Sequence, residues 1–168
     1  FTGNIYGDFR DPTYTLELFE RLKGSVQFEM IGAVDAETKS KLDSHNVIYH
    51  GSKKLNETKE ELKKADVLVN IGNRMLNQVP SKIFEYISYG KPIINVCKSR
   101  ECPTQPYFSK HLYALNLFEE EALLDEQAEK LGEFIQNNYG SRMNCDEITK
   151  LYETCTPQYC AAQMKSIF

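Results

Sequence analysis

Apolar residues along this chain gather in short runs separated by amphipathic stretches, an alternation that predicts βαβ units around a mostly parallel sheet. The runs at 1–6, 25–31, 47–50, 66–71, 92–96 and 111–117 read as strands. Six strands fit one Rossmann-like, doubly wound sheet with helices on both faces, an α/β fold. Between them, 12–23 opens with Asp11-Pro12 and carries Leu16, Leu18, Phe19 and Leu22 on one side, which predicts a helix. The charged segments 36–43 and 56–64 read as short outer helices, the second starting at Asn56. A further helix, 80–89, begins at Pro80-Ser81 and stops at Gly90-Lys91-Pro92, where glycine suits a left-handed cap and proline ends the helix. Residues 98–110, with Pro103 and Pro106, read as a loop, and 119–138 as a long acidic helix. The tail 145–168 reads as two short helices broken at Thr156-Pro157.

With 168 residues and 41% hydrophobic content, the chain can bury one sizeable core, so residues 1–168 are taken as a single domain with a helical tail. The opening Phe1-Thr2-Gly3-Asn4-Ile5-Tyr6 reads as a buried strand without a polar leader, which suggests a fragment of a longer protein. A net charge of −4 supplies no broad attraction for a polyanion, so nucleic acid is not an expected partner and any phosphate contact must come from a few placed groups. No stretch reaches the ~18 apolar residues of a membrane span, and a cytoplasmic, soluble domain is expected. The five cysteines, Cys97, Cys102, Cys145, Cys155 and Cys160, lack zinc-ligand spacing and read as free thiols.

Ligands of an open parallel sheet bind beyond the carboxyl ends of its strands. The loop 72–79 leaves the fourth run and feeds the helix at Pro80, so its tip lies on that edge. Ser81, Lys82 and Glu85 share one helical face. Lys82 and the first-turn N–H groups suit a diphosphate, and Glu85 suits two vicinal sugar hydroxyls. The same spacing also describes an ordinary i, i+3 surface ion pair.

The string Gln78-Val79-Pro80-Ser81-Lys82-Ile83-Phe84-Glu85-Tyr86-Ile87-Ser88-Tyr89-Gly90-Lys91-Pro92-Ile93-Ile94 resembles the donor-site signature of GT-B glycosyltransferases, especially glycosyltransferase family 4. Ala65-Asp66-Val67-Leu68-Val69 and Thr2-Gly3-Asn4-Ile5-Tyr6-Gly7 extend the likeness. The resemblance implies the C-terminal, nucleotide-sugar-binding half of a two-domain enzyme whose N-terminal half, absent from this chain, receives a glycan or lipid-linked acceptor. It implies transfer from a nucleoside-diphosphate sugar with retention of anomeric configuration, without a metal or other cofactor, in bacterial surface polysaccharide synthesis, with the whole enzyme peripheral at the inner membrane face. The isolated fragment is expected to bind nucleotide weakly and not to turn over.

By that likeness Glu85 holds the ribose as the second glutamate of an E-x7-E motif, and Ser81 and Lys82 face the diphosphate. The first glutamate is replaced by Asn77, which can hydrogen-bond a sugar hydroxyl but cannot stabilise developing positive charge. Asn77 is therefore both the position of the catalytic glutamate and a departure from it, with Gln78 and Val79 beside it at the donor sugar. Arg10 stands where the family places a diphosphate-binding cation after the first strand, and it is equally a plain surface arginine on spacing. Gly51 and Ser52 are the candidates for the base, His50 beside them reads as structural, and Arg74 is a candidate for the donor sugar or a solvated arginine. A nucleotide-sugar epimerase half, or a non-catalytic interaction module with Lys82 and Glu85 as a surface pair, are the competing readings.

Overall fold

The computed structural model describes residues 1–6, 9–121 and 123–165, and five of the six apolar runs form strands in it. In chain order the elements are α1 (Thr13–Arg21), β1 (Phe28–Met30), α2 (Ala36–Asp43), β2 (Val47–Tyr49), α3 (Leu55–Lys64), β3 (Leu68–Ile71), α4 (Lys82–Ser88), β4 (Ile93–Cys97), α5 (Gln105–Phe108), β5 (Ala114–Phe118), α6 (Leu124–Asn138), α7 (Cys145–Leu151), a 3-10 turn at Glu153–Cys155 and α8 (Pro157–Lys165). The fold is mixed α/β with parallel pairing throughout its strands, but the expected six-stranded sheet is not formed. β1 pairs with β2 in one sheet, and β3, β4 and β5 pair in that order in another.

The first run, 1–6, fails as a strand for a local reason. Thr2 and Ile5 bridge Ile31 and Val34 in one parallel register. Between these bridges the Ala33 N–H donates to the Asn4 side-chain Oδ1 at 3.0 Å, so the ladder is broken. Gly32, with φ of 146°, lies against the Gly3 carbonyl, and a Cβ there would sit 2.0 Å from that oxygen. Only glycine allows this close approach.

The three-stranded sheet is packed on both faces, and its side-chain period of two sorts the layers. Val69, Ile71, Ile94, Val96 and Leu117 join Ile5, Leu16, Leu18, Phe19 and Leu131 in one core against α1 and α6. On the opposite face Leu68 and Ile93 pack with Ile83, Tyr86 and Ile87 of α4, Phe108 and Tyr152. Each such fully buried aliphatic side chain contributes roughly 1.5–3 kcal/mol. Next along that face come Asn70, Asn95 and Asn116, aligned by the register; Asn70 donates to Asn95 and Asn95 to Asn116, both at 2.7 Å. The polar side chains thus satisfy one another in a buried ladder instead of forcing unpaired amides into the core.

Helix boundaries follow capping and ion pairs. The Asp11 carboxylate accepts from the Thr13 N–H and hydroxyl at the start of α1. Burial alone would raise its pKa, but those hydrogen bonds and the nearby Lys41 hold it below the ordinary value. α3 begins at Leu55, one residue before Asn56, because the Glu57 carboxylate accepts the Lys54 N–H. The predicted loop 98–110 contains α5, in which Pro106 occupies the first turn, where a missing N–H costs nothing. α6 starts at Leu124 instead of 119, since Glu119 and Glu121 are drawn into pairs with Lys98 and Arg100.

Two residues at the end of α4 tie the halves together. Gly90 takes φ of 64° and its carbonyl accepts from the Met143 N–H at 2.8 Å. Lys91 is buried, and its ammonium donates to the carbonyls of Leu62, Lys63 and Ala65 at the C-terminus of α3. A cation here satisfies carbonyls that the helix itself leaves open.

Candidate functional site

The site is assembled by two loops at the carboxyl ends of the strands. The Arg74 N–H donates to the Phe9 carbonyl at 3.1 Å, which joins the loop after the first segment to the loop 72–79. The Asn73 side-chain Oδ1 accepts from the Met75 N–H at 3.2 Å and turns the second loop outward. Together they line a cavity of about 450 Å³ with Phe9, Arg10, Asn73, Gln78, Val79, Pro80, Ser81 and Lys82. A larger cavity, about 490 Å³, opens elsewhere between Phe1-Thr2 and Val67–Val69 and holds none of the candidate residues.

Arg10, Ser81, Lys82, Gln78 and Val79, drawn from sequence positions far apart, therefore meet in one recess. Asn77 is exposed beside it, and Glu85 lies one turn along α4 from Ser81 and Lys82, outside the lining. Gly51 and Ser52 follow β2 on the same edge, outside the lining as well, with the Gly51 carbonyl accepting from the Gly32 N–H at 2.9 Å. His50 is paired with Glu29 at 2.8 Å. Gly7, which closes the opening stretch quoted for the likeness, lies outside the described residues, as does Asp8 after it.

The electrostatics of the recess are uneven. Lys82 pairs with the Glu85 Oε2 at 2.8 Å and lies 5.9 Å over the Tyr86 ring. The other Glu85 oxygen, Oε1, is buried and has no hydrogen-bond partner. Arg10 is in the converse condition: its Nε is buried without a partner, and its Nη1 reaches the Asn4 carbonyl only at 3.4 Å. Burial lowers the Arg10 pKa, with Tyr86 opposing, yet a guanidinium keeps its charge in a protein. A buried guanidinium Nε–H without an acceptor, and a buried carboxylate oxygen with an unused lone pair, are each costly unless something completes them.

Tyr86 fixes α4 against the first segment. Its hydroxyl accepts from the Thr2 N–H at 2.8 Å and lies 3.1 Å from the Thr2 hydroxyl. Burial pushes its pKa up to about 12, with the Thr2 hydrogen bonds pulling the other way. That contact holds the first segment against α4, which begins at Lys82.

The helix start gives fewer free donors than the spacing suggested. The N–H groups of Ile83 and Phe84 donate back to the carbonyls of Pro80 and Ser81 and are already engaged. Sequence reasoning did not single out Phe9, Asn73 and Pro80 as lining. An Asn directly after Gly72 at the end of an apolar run was the available signal for Asn73, since such residues turn a chain by bonding their own backbone. Among the described residues no group of three or more His, Cys, Asp or Glu side chains is placed to hold a metal ion, and no helix is long and apolar enough to cross a membrane.

No protein-family model matches this chain, and no curated protein matches it. The likeness to glycosyltransferase family 4 rests on the residues quoted for it alone.

Proposed function

We propose that this domain binds a nucleoside-diphosphate sugar at the Arg10–Lys82 recess, as the Rossmann-like donor half of a glycosyltransferase. The observation that carries the reading is the pair of unmet hydrogen-bonding groups: the Nε donor of Arg10, which lines a recess of ligand size, and the Oε1 acceptor of Glu85, one turn along α4 from the Ser81 and Lys82 of that lining. A diphosphate supplies acceptor oxygens to Arg10, the Ser81 hydroxyl and Lys82. A ribose diol supplies donors to Glu85. In the transfer step, negative charge accumulates on the departing diphosphate as the bond to the anomeric carbon breaks, and cations already fixed in place stabilise it without reorganising. Asn77, Gln78 and Val79 face the sugar end from the exposed rim, and Gly51 and Ser52 the base end. The acceptor, a glycan or lipid-linked sugar, comes through a partner domain.

The test is a backbone-amide NMR titration with a nucleoside diphosphate. Saturable shifts confined to residues around 9–10, 51–52 and 73–85 support the reading. Shifts confined to the cavity between Phe1-Thr2 and Val67–Val69, or none at millimolar ligand, contradict it.

A second reading has its own observation. Lys82 and Glu85 already pair at 2.8 Å, and Phe9, Met75, Leu76, Val79 and Phe84 are exposed around them. An interaction module presents just such an apolar rim around a surface pair. It predicts that a protein partner, and no nucleotide, perturbs these residues.

A further inference from the structure

The polar ladder on the α4 face of the sheet ends at two thiols. Cys97 closes β4, and Cys102 sits in the turn that follows; both are buried, and they pack on each other and on Phe118. Thr104 spans them, its hydroxyl 3.2 Å from the Cys102 Sγ and 3.9 Å from the Cys97 Sγ, while it donates to the Asn95 Oδ1 at 3.0 Å. Asn95 in turn donates to the Cys97 Sγ at 3.1 Å. The turn itself is pinned over the sheet edge by the Lys98–Glu119 and Arg100–Glu121 pairs. No other two cysteines among the described residues share such a set of contacts: Cys145 and Cys160 are exposed and Cys155 packs elsewhere.

We propose that Cys97 and Cys102 are a peroxide-reactive dithiol that closes reversibly to a disulfide. Cys102 is the attacking sulfur. The interaction with Cys97 lowers the Cys102 pKa against the effect of burial, and Cys97 is pushed the other way. Hydrogen peroxide is small enough for a site that a bulky disulfide reagent cannot enter. The Cys102 thiolate attacks one peroxide oxygen, the O–O bond breaks, and the leaving hydroxide takes a proton to become water, leaving a sulfenic acid on Cys102. The Cys97 sulfur then displaces that hydroxyl from the Cys102 sulfur, and its thiol proton leaves with it as a second water. Both thiols have lost one electron each, and one peroxide has been reduced to two waters.

The consequence reaches the loop that carries the recess. Gly72, the first residue of the 72–79 loop, lies so close that a Cβ added to it would be 3.4 Å from the Cys102 Sγ, and its N–H donates to the Val96 carbonyl at 2.8 Å. Drawing the Cys102 sulfur onto Cys97 removes it from Thr104 and from the root of that loop.

The experiment treats the reduced, folded protein with hydrogen peroxide, alkylates remaining thiols after denaturation, and maps the cysteine peptides. The expected result is loss of both Cys97 and Cys102 thiols together as one linked peptide, restored by dithiothreitol. In Cys97→Ser the sulfenic acid on Cys102 persists and is trapped by dimedone present during denaturation. Persistence of both thiols while Cys145 and Cys160 are consumed would overturn the proposal, as would oxidation of Cys102 in the unaltered protein to a sulfinic acid without any linked peptide. The mapping on the unaltered protein decides the matter even if the serine variant does not fold.

Discussion

Lys82 and Glu85 face each other across one turn of α4 at 2.8 Å, through only one of the two carboxylate oxygens; the other, Oε1, is buried and bonded to nothing. A simple surface pair has no reason to bury its second oxygen unsatisfied. The arrangement also makes Lys82 divisible: the ammonium has three donors, and Glu85 engages one side of it. A phosphate oxygen can join Lys82 without displacing Glu85.

The recess should therefore treat its two cations differently. Arg10→Lys removes the planar fork that can grip two phosphate oxygens at once, whereas Lys82→Arg keeps a charge on the same face. Titration with inorganic pyrophosphate is expected to show Arg10→Lys weakening binding by about 1–2 kcal/mol and Lys82→Arg by less. Equal losses would mean that only net charge matters there.

Lys91 is a structural cation. Replacing it with Met leaves the carbonyls of Leu62, Lys63 and Ala65 without their shared donor, at a cost of about 2–4 kcal/mol. Urea unfolding is expected to show a lower midpoint with an unchanged slope. A midpoint equal to that of the unaltered protein would show that water replaces the ammonium at no cost.

The asparagine ladder predicts a strong asymmetry between its members. Asn95 touches Asn70, Asn116, Thr104 and Cys97, so Asn95→Leu leaves partners on both neighbouring strands unsatisfied. Asn116 is held on the open side and also reaches Ser109 at 3.3 Å. Thermal unfolding should show Asn95→Leu losing about 2–4 kcal/mol and Asn116→Leu less than half of that. Similar losses would deny that Asn95 is the hub.

Stability should fall in strong alkali. The Tyr86 pKa is raised from 10.0 to about 12 by burial, with Glu85 adding to the rise and Thr2 and Arg10 opposing it. For a group raised in the folded state, the stabilisation is complete below the unfolded pKa and is lost as pH climbs through the folded one. Between pH 10 and 12 the protein should lose about 3 kcal/mol from this residue. Tyr152, also raised to about 12, adds to the same window. Tyr86→Phe should flatten the dependence measured by denaturant titration at several pH values; an unchanged slope would locate the alkaline loss elsewhere.

Much of the element order was legible because apolar period alone separates Val69 and Ile94, buried on strands, from the one-sided Leu16, Leu18 and Phe19 of α1. What was not legible depends on contacts distant in sequence. Asn4 taking the Ala33 N–H across 29 residues ends the first strand, and nothing in Phe1–Tyr6 announces it. Asn70, Asn95 and Asn116 each look like a blemish in an apolar run until the register sets them side by side. Glu119 and Glu121 read as helix formers because their partners, Lys98 and Arg100, lie on another loop. At the site, the i, i+3 spacing was enough for Lys82 and Glu85. It could not show that Arg10 comes to the same recess, because the two positions lie far apart in the sequence and the contact that brings the first segment to α4, Thr2 with Tyr86, spans 84 residues.

The central claim is that Glu85 and the cations beside it hold a nucleoside diphosphate. Calorimetric titration with UDP, GDP and ADP, on the unaltered protein and on Glu85→Ala, tests it most directly. Saturable binding of one of the three, weakened by about 1–3 kcal/mol in the variant through loss of charged hydrogen bonds, is the predicted result. Absence of binding by all three at millimolar concentration, or equal affinity in the variant, would contradict it.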